Sequence, residues 1–268
     1  AGAAVVVFAA LMALYPALVG GLQARIGPAS PALRCLIVIP PLWVFGEWLR
    51  GNLLSGFPWL YLGYSQVDTP LAPLLPLTGT LGVSLWVALG VGALAAFVCM
   101  SGRSRLLPVA ALLGLVVLAA LARIPVFVQP AGEPIDVALV QHNVSLVDKW
   151  QSHKANAIAR DYLADSEALS DVDLIVWPEA ALPAYLDEID PGFIARLKDH
   201  EADFLFGALA RESLAPGAAY YNVALGVGDE PALYRKHQLV PFGEYLPLSW
   251  LLVWILDYLS IPMSDFSP

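Results

Sequence analysis

The stretch D-L-I-V-W-P-E at residues 173–179 decides how the second half of this chain folds. Its apolar run predicts a buried strand over residues 173–177 that stops at Pro178. Glu179 then follows the carboxyl end of the strand, the edge where ligands and catalytic groups gather in open α/β sheets. We therefore expect an α/β domain with a functional carboxylate at Glu179, and burial beside Trp177 should raise the pKa of that carboxylate.

A second polar stretch, Y-R-K-H-Q-L-V-P-F-G-E at residues 234–244, supplies Lys236 and Glu244 around a Pro-Phe-Gly turn. Two carboxylates and one lysine at strand ends make a candidate acid–base site. Each of the three also has a plainer explanation as an ordinary strand-end or surface side chain. Only their combination points to a site.

The segments around these two stretches alternate between helix and strand patterns. Further strands are predicted over residues 135–144, 203–210, 219–227 and 233–237, and helices over residues 150–170 and 191–201. This order is typical of the α/β class.

Composition separates the chain into two unlike halves. The 268 residues are 58% hydrophobic and only 14% charged, which is too apolar for an ordinary soluble domain. Residues 1–134 carry six basic and three acidic residues (+3), and residues 135–268 carry eight basic and twenty acidic residues (−12), which gives the net −9. The acidic half argues against a nucleic-acid partner. A membrane region therefore precedes a water-facing globular region.

Four apolar segments predict membrane-spanning helices over residues 1–22, 33–49, 79–100 and 106–122. Pro40 and Pro41 should kink the second of them. The first segment has no initiator Met and no signal-peptide pattern, so we expect the membrane region to extend before it. Four of the six arginines flank the loops after the first and third spans, which favours cytoplasmic loops there and a globular half on the outer, periplasmic side.

The connection over residues 51–78 is rich in aromatic side chains, which include Phe57, Trp59, Tyr61 and Tyr64. Such rings commonly anchor a protein at the depth of the lipid headgroups, and the alternative is that they line a lateral entry for lipid. Just before this segment, Glu47 and Arg50 are expected to pair with each other or to reach the interface.

The cysteines and histidines give no sign of a metal or a cofactor. Cys35 and Cys99 lie in apolar runs and are expected to be small buried side chains. The four histidines lack ligand spacing, so we expect no metal and no cofactor. Near the end of the chain, residues 248–259 are apolar but too short to cross a bilayer, which predicts an interfacial helix or a hydrophobic lid.

Taken together, these motifs resemble the apolipoprotein N-acyltransferases, the integral-membrane branch of the nitrilase (carbon–nitrogen hydrolase) superfamily. The matching segments are G-E-W-L-R-G at 46–51, G-F-P-W-L at 56–60, G-Y-S-Q-V-D at 63–68, V-A-L-V-Q at 137–141, K-W at 149–150, W-P-E at 177–179, K-H-Q-L-V-P-F-G-E at 236–244 and P-M-S-D-F-S at 262–267. W-P-E alone is a weak signal, but the whole set in this order is specific. Residues 1–41 match only in hydropathy.

The resemblance implies a fold and a set of roles. It implies a multi-pass helical membrane domain over residues 1–124 and the first part of a nitrilase-like αββα sandwich over residues 134–268. Glu179 would be the general base and acid, Lys236 would stabilise the oxyanion, and Glu244 would orient that lysine. Trp150 would lie beside the substrate cleft. Independently of the resemblance, the aromatic segment itself suggests that Phe57, Trp59 and Tyr64 contact lipid.

The resemblance also implies a reaction. A cysteine thiol takes an acyl chain from a phospholipid and passes it, through a thioester, to the α-amino group of a diacylglyceryl-cysteine lipoprotein. That nucleophile should follow Lys236, yet no cysteine does, and Cys35 and Cys99 lie on unrelated membrane segments. We expect the nucleophile and the rest of the sandwich to lie outside this chain, in a monomeric enzyme of the bacterial inner membrane.

Two other functions are also compatible with the sequence. A membrane-tethered amidase or nitrilase acting on small soluble substrates would use the same Glu179 and Lys236. A non-catalytic membrane scaffold would need neither. The aromatic segment and the apolar residues 248–259 favour a lipid substrate, and release of lysophospholipid would distinguish the three.

Overall fold

The computed structural model describes residues 2–53, 56–121, 129–149, 151–215, 217–241, 243–245 and 266–267. The chain divides into two compact units, Ala1–Ala131 and Gly132–Pro268. The first unit is helical, and the second is built on a mixed β-sheet.

The helices of the first unit are α1 (Gly2–Ile26), α2 (Pro31–Leu33), α3 (Ile39–Asn52), α4 (Leu75–Cys99) and α5 (Leu106–Leu121). A π-helical turn, Arg34–Val38, joins α2 to α3. Among the residues that the structure describes, four stretches are long and apolar enough to cross a membrane: Phe8–Ile26, Pro31–Asn52, Ala72–Cys99 and Gly102–Leu121. These apolar helices fit the membrane region that the sequence predicts.

Two of these helices differ from their predicted form. The second candidate span starts at Pro31 and reaches Asn52, so it is longer than predicted. Its two prolines stand at the start of α3, directly after the π-helical turn. Proline lacks a backbone N–H and crowds the carbonyl one turn earlier, and a widened turn accommodates both effects. In α4, Gly79 has φ 64° and ψ −177°, a non-helical conformation that kinks the helix where the sequence predicted its start.

The described part of the second unit is built on a five-stranded sheet with strands β1 (Val137–Leu139), β2 (Leu174–Val176), β3 (Asp203–Arg211), β4 (Tyr220–Val227) and β5 (Ala232–Arg235). The spatial order follows the chain. β1 pairs with β2, and β2 with β3, in parallel, whereas the β3–β4 and β4–β5 pairs are antiparallel. A mixed α/β sheet therefore follows the helical unit, in agreement with the α/β prediction.

Helices α6 (Leu146–Lys149), α7 (Ala155–Glu167) and α8 (Pro191–Lys198) connect the parallel strands. α7 begins five residues later than predicted and directly follows a short 3-10 turn, Ser152–Lys154. The start of α8 has a clear local cause. The Asp190 side chain accepts a hydrogen bond from Gly192 N at 3.0 Å, and Pro191 takes the first helical position.

β1 shows the largest difference from the predicted strands. The sequence predicts a strand over residues 135–144, but the ladder ends at Leu139. Val140 N still donates to Val176 O at 2.9 Å, and Asn143 then adopts φ 56°, in the left-handed region, which ends the extended path. The other strands, and α8, agree with the predicted bounds within three residues.

The two faces of the sheet have different surroundings. On the inner face, Ile175, Phe204 and Phe206 are at most 1% exposed and pack with side chains of α7 and α8. Burying each side chain of this size contributes about 1.5–3 kcal/mol. Because side chains alternate along a strand, the opposite face carries Leu139, Leu205 and Tyr234, which are exposed apolar residues. The sheet thus has one packed face and one open apolar face.

Candidate active site

Glu179 is carried by a tight turn that leaves the carboxyl end of β2. Pro178 O accepts hydrogen bonds from Gly207 N at 3.2 Å and from Ala181 N at 3.1 Å, which ties the turn to β3. Ala180 has φ 48°, a left-handed conformation that a non-glycine residue rarely adopts. A Cβ at Gly207 would lie 2.3 Å from Ala180 N, so this close approach requires glycine.

Lys236 and Glu244 reach the same place from the other end of the sheet. Lys236 directly follows β5, and its backbone N donates to Asn222 O on β4 at 2.9 Å. Glu244 closes the turn that starts at Val240, because Glu244 N donates to Val240 O and Val240 N donates to Glu244 Oε2 at 2.8 Å. The turn therefore fixes both the backbone and the side chain of Glu244.

Four side chains meet in a closed hydrogen-bond arrangement, which we call the quartet: Glu179, Asn222, Lys236 and Glu244. Lys236 Nζ lies 2.8 Å from Glu179 Oε1 and 2.8 Å from Glu244 Oε1. Asn222 Nδ2 donates to the same two oxygens, at 2.7 Å and 3.1 Å. The structure thus brings together all three residues that the sequence predicted as catalytic.

Electrostatics follow directly from this geometry. The hydrogen bond from Lys236 is the main cause that holds the pKa of Glu179 below its usual value, although burial opposes it. The predicted net rise of this pKa is therefore wrong, because the hydrogen bond from Lys236 outweighs the effect of burial. The Trp177 ring lies in the core between Tyr162 and Phe206, and its Nε1 donates to Ser166 Oγ at 3.0 Å.

The pKa of Lys236 is shifted in the opposite direction, upward. Burial alone would lower its pKa, but the hydrogen bonds to Glu179 and Glu244 outweigh burial and raise it. The lysine therefore stays protonated at neutral pH, as a donor to developing negative charge must. Its side chain is 26% exposed and that of Glu244 14%, whereas the Glu179 side chain is 64% exposed. Glu179 is the member of the carboxylate pair that a substrate can reach.

Two polar residues of the site were not predicted. Asn222 is 7% exposed and stands in an otherwise apolar strand, and that lone buried amide is the signal that sequence reasoning overlooked. Lys149, noted only as part of a motif, donates through Nζ to Glu179 O at 3.2 Å. Burial lowers the pKa of Lys149, and the nearby Glu179 carboxylate partly opposes this.

The quartet borders a depression of about 370 Å³ in the open face of the sheet. Its polar lining comes from Glu179, Asn222 and Lys236, and its apolar lining includes Leu205 and Tyr234. A few convergent polar groups in an apolar hollow are typical of a small-molecule or cofactor site. A base and a fixed ammonium group facing such a hollow suit nucleophilic acyl chemistry.

The predicted lipid-contacting residues lie in the first unit. Phe57 and Trp59 stack with ring centroids 5.7 Å apart, and Phe8 contacts Phe57 edge-on at 5.2 Å. Tyr64 stacks instead on Tyr61, at 5.5 Å. Of the three predicted residues, Phe57 and Trp59 thus contact each other, and Tyr64 contacts Tyr61.

Other predicted features fall elsewhere. Trp150 and residues 248–259 lie outside the described residues, so their roles stay predictions. Cys35 is partly buried in the π-helical turn, and Cys99 is exposed at the end of α4. Among the residues that the structure describes, no group of three or more His, Cys, Asp or Glu side chains could hold a metal ion.

Comparison with known proteins agrees with the motifs. Residues 1–94 match the model of the apolipoprotein N-acyltransferase N-terminal domain. A curated apolipoprotein N-acyltransferase of Methylococcus capsulatus is 40% identical over 97% of this chain and 52% of that protein. The chain is related to the apolipoprotein N-acyltransferases. Counterparts from Nitrosomonas europaea and Chromobacterium violaceum are 38% and 36% identical, each over 98% of this chain and 53% and 51% of their own lengths. The chain thus spans about half the length of the curated relatives that it matches.

Proposed function

We propose that this chain is part of an apolipoprotein N-acyltransferase, which moves an acyl chain from a phospholipid to the α-amino group of a diacylglyceryl-cysteine lipoprotein. The observation that carries the proposal is the pair of 2.8 Å contacts that Lys236 Nζ makes with Glu179 and Glu244 beside an apolar hollow. Relatives that are named apolipoprotein N-acyltransferases match this chain over nearly its whole length.

In this mechanism Glu179 is the proton carrier. Glu179 takes the proton of a cysteine thiol, and the sulfur forms a bond to the ester carbonyl carbon of the phospholipid. The lysophospholipid leaves with the proton from Glu179, and a thioester remains. The lipoprotein amine then attacks the thioester carbonyl and gives a proton to Glu179, which returns it to the departing sulfur. The products are an amide and the original thiol.

Lys236 and Glu244 support both steps. Each attack places negative charge on the former carbonyl oxygen, and the Lys236 ammonium is a fixed donor for that charge. Glu244 and Asn222 fix the Lys236 ammonium group relative to the Glu179 carboxylate, so little reorganisation is needed as the negative charge develops. Trp150 would line the cleft beside them.

We propose that the globular unit is the first part of a nitrilase-like αββα sandwich. The open face of the sheet carries exposed Leu139, Leu205 and Tyr234, and a second sheet is the partner that such a face requires. The globular unit contains no cysteine among residues 135–268. The relatives are about twice as long as this chain, so we place the thiol in the half of the protein that this chain does not include.

We further propose a monomer in the bacterial inner membrane, with a membrane domain over residues 1–124 and a periplasmic domain over residues 134–268. The arginines that flank the spans and the acidic second half support this orientation. An alkaline phosphatase reporter fused after residue 132 should be active, and a cytoplasm-specific reporter at the same point should be silent. Sedimentation in detergent tests the monomer.

The direct test replaces Glu179 with glutamine in the complete gene product. Purified protein is incubated with phospholipid and a diacylglyceryl-cysteine peptide, and both lysophospholipid and acylated peptide are measured. We expect neither product, because the amide cannot accept the thiol proton. The control is Glu230→Gln, an exposed carboxylate in the turn between β4 and β5, which should keep the wild-type rate. A wild-type rate in the Glu179→Gln variant would refute the proposal. If the wild-type protein hydrolyses small amides and releases no lysophospholipid, a nitrilase-type hydrolase is favoured instead.

A further inference from the structure

Glu47 is a buried carboxylate inside a candidate membrane span, and the proposed reaction does not use it. It lies on α3 and is only 5% exposed. Its Oε1 accepts hydrogen bonds from Trp43 Nε1 at 3.1 Å and from Leu62 N at 2.9 Å. In the described part of the chain, its Oε2 is buried and has no hydrogen-bond partner. An ionisable residue in this setting is expensive to bury and is expected to have a role.

Leu62 belongs to the loop between α3 and α4, and a second buried polar side chain binds the next residue of this loop. Ser84 on α4 is fully buried, and its Oγ accepts a hydrogen bond from Gly63 N at 2.9 Å. Leu62 and Gly63 are the first two residues of a short 3-10 helix, Leu62–Gln66. The first N–H groups of a helix have no partner within it, and an unsatisfied N–H away from water is costly. Side chains from two different membrane helices satisfy these two groups.

Three glycines, one at the end of α3 and two in the loop, show that the fit is close. A Cβ at Gly63 would lie 2.1 Å from Thr80 O on α4, and a Cβ at Gly51 would lie 1.6 Å from Tyr61 Oη. At Gly56, φ is 84°, and a Cβ would lie 1.9 Å from Gly51 O. These three glycines belong to the sequence motifs around residues 46–68. Their small size lets the loop pack directly on α3 and α4.

Arg50 completes the attachment on the other side of the loop. Its Nη2 donates to Leu60 O at 3.2 Å, and its guanidinium lies 5.4 Å from the centroid of the Tyr61 ring. Leu60 adopts φ 65°, a strained conformation for a branched side chain. Of the two expectations for these residues, pairing with each other is replaced by separate contacts of Glu47 and Arg50 with the loop. Between these contacts, Trp59 and Leu60 project as an exposed apolar tip.

We propose that Glu47 and Ser84 are positioning residues that fix this loop so that Trp59 contacts the acyl chains of the phospholipid donor. The chemical basis is hydrogen-bond acceptance by two buried oxygens, not the charge of Glu47. The contact of Trp59 with acyl chains rests on the proposed function. The role of the two oxygens in placing Trp59 does not, and it can be measured without catalysis.

The test uses the complete gene product in vesicles that contain phosphatidylcholine brominated on its acyl chains. Bromine quenches a nearby tryptophan, and the difference between each variant with Trp59 and the same variant with Trp59→Phe isolates the Trp59 signal. We expect Glu47→Gln to keep the wild-type Trp59 quenching, because the amide oxygen still accepts both hydrogen bonds. Glu47→Leu and Ser84→Ala should lose most of it. Ser104→Ala, an exposed serine in the turn before α5, is the matched control and should behave as wild type.

Kinetics supply the second readout. Glu47→Leu and Ser84→Ala should raise KM for phospholipid by about 10-fold, the effect of one lost buried hydrogen bond, with little change in the rate at which a preformed thioester acylates the peptide. Glu47→Gln should restore the wild-type KM.

Two results would overturn the inference. One is wild-type Trp59 quenching in Glu47→Leu and in Ser84→Ala, and the other is a Glu47→Gln variant as impaired as Glu47→Leu. If Glu47→Leu does not fold, the smaller Ser84→Ala change decides. If Glu47→Leu and Ser84→Ala lose Trp59 quenching but the wild-type protein makes no lysophospholipid, the role of the two oxygens stands and the proposed enzyme function is rejected.

Discussion

Replacement of Asn222 with leucine removes one donor from each of two carboxylates and keeps a side chain of similar volume. Asn222 Nδ2 donates to Glu179 Oε1 at 2.7 Å and to Glu244 Oε1 at 3.1 Å. Because Asn222 is buried, water does not fully replace the lost bonds. Lys236 then remains as the link between the carboxylates, and the direction of the Glu179 carboxylate is less restricted.

The size of the effect follows from the exposure of each partner. A hydrogen bond to a charged group contributes about 1.5–3 kcal/mol, and the 64% exposure of the Glu179 side chain argues for the lower end of that range. About 1.5 kcal/mol corresponds to about a tenfold fall in kcat/KM at neutral pH. After Lys236, Asn222 is a further hydrogen-bond donor that lowers the pKa of Glu179, so its loss raises that pKa. Since Glu179 acts as a base only when ionised, the acidic limb of the pH profile moves to higher pH.

The assay is acylation of a diacylglyceryl-cysteine peptide by the complete gene product, measured as kcat/KM across pH. Asn156→Leu, at an exposed position on α7, is the matched control and should leave both the rate and the acidic limb unchanged. Thermal unfolding of each variant distinguishes a loss of folded protein from a loss of the correct position of the Glu179 carboxylate. A tenfold slower, folded Asn222→Leu variant whose acidic limb does not move would refute the assignment of Glu179 as the base that Asn222 holds.

Two further substitutions test the surroundings of Glu179. Gly207→Ala places a Cβ 2.3 Å from Ala180 N, so we expect overpacking to cost about 1–3 kcal/mol, with a lower melting temperature and a lower acylation rate. Gly226→Ala on β4, where the nearest atom would lie 3.4 Å away, should melt higher than Gly207→Ala, and equal melting temperatures would contradict this account. Lys149→Met removes a positive charge that helps to lower the pKa of Glu179 after the Lys236 hydrogen bond, so the acidic limb should move upward at low salt. An unmoved limb would show that Lys149 acts only through the Glu179 backbone.

The features that the sequence predicted well are those encoded by adjacent residues. The apolar run that stops at Pro178 predicts both the strand β2 and the position of Glu179 after it. The turn before Glu244 is also local, because Val240 and Glu244 satisfy each other's polar groups within five residues. Apolar length likewise predicts the four membrane-type helices, although not their ends.

The features that the sequence missed depend on contacts between distant segments. Asn222 belongs to the quartet because β4 pairs with β3 and β5 in one register, and a shift of one residue would turn its side chain to the inner face. The pKa of Glu179 was predicted in the wrong direction for the same reason. The adjacent Trp177 suggested burial, whereas Lys236, 57 residues away in sequence, supplies the dominant hydrogen bond.

Glu47 shows how a correct local observation can still suggest the wrong partner. A carboxylate and an arginine one helical turn apart predict an ion pair, and spacing of this kind often produces one. Here Glu47 instead accepts a hydrogen bond from Leu62 N, and Arg50 donates one to Leu60 O. Unpaired backbone groups in a low-dielectric region cost more than an exposed ion pair gains, so the loop, rather than the neighbouring charge, determines where both side chains point. The same argument predicts that polar residues elsewhere at the ends of these apolar helices will be found bound to the backbone of the connecting loops.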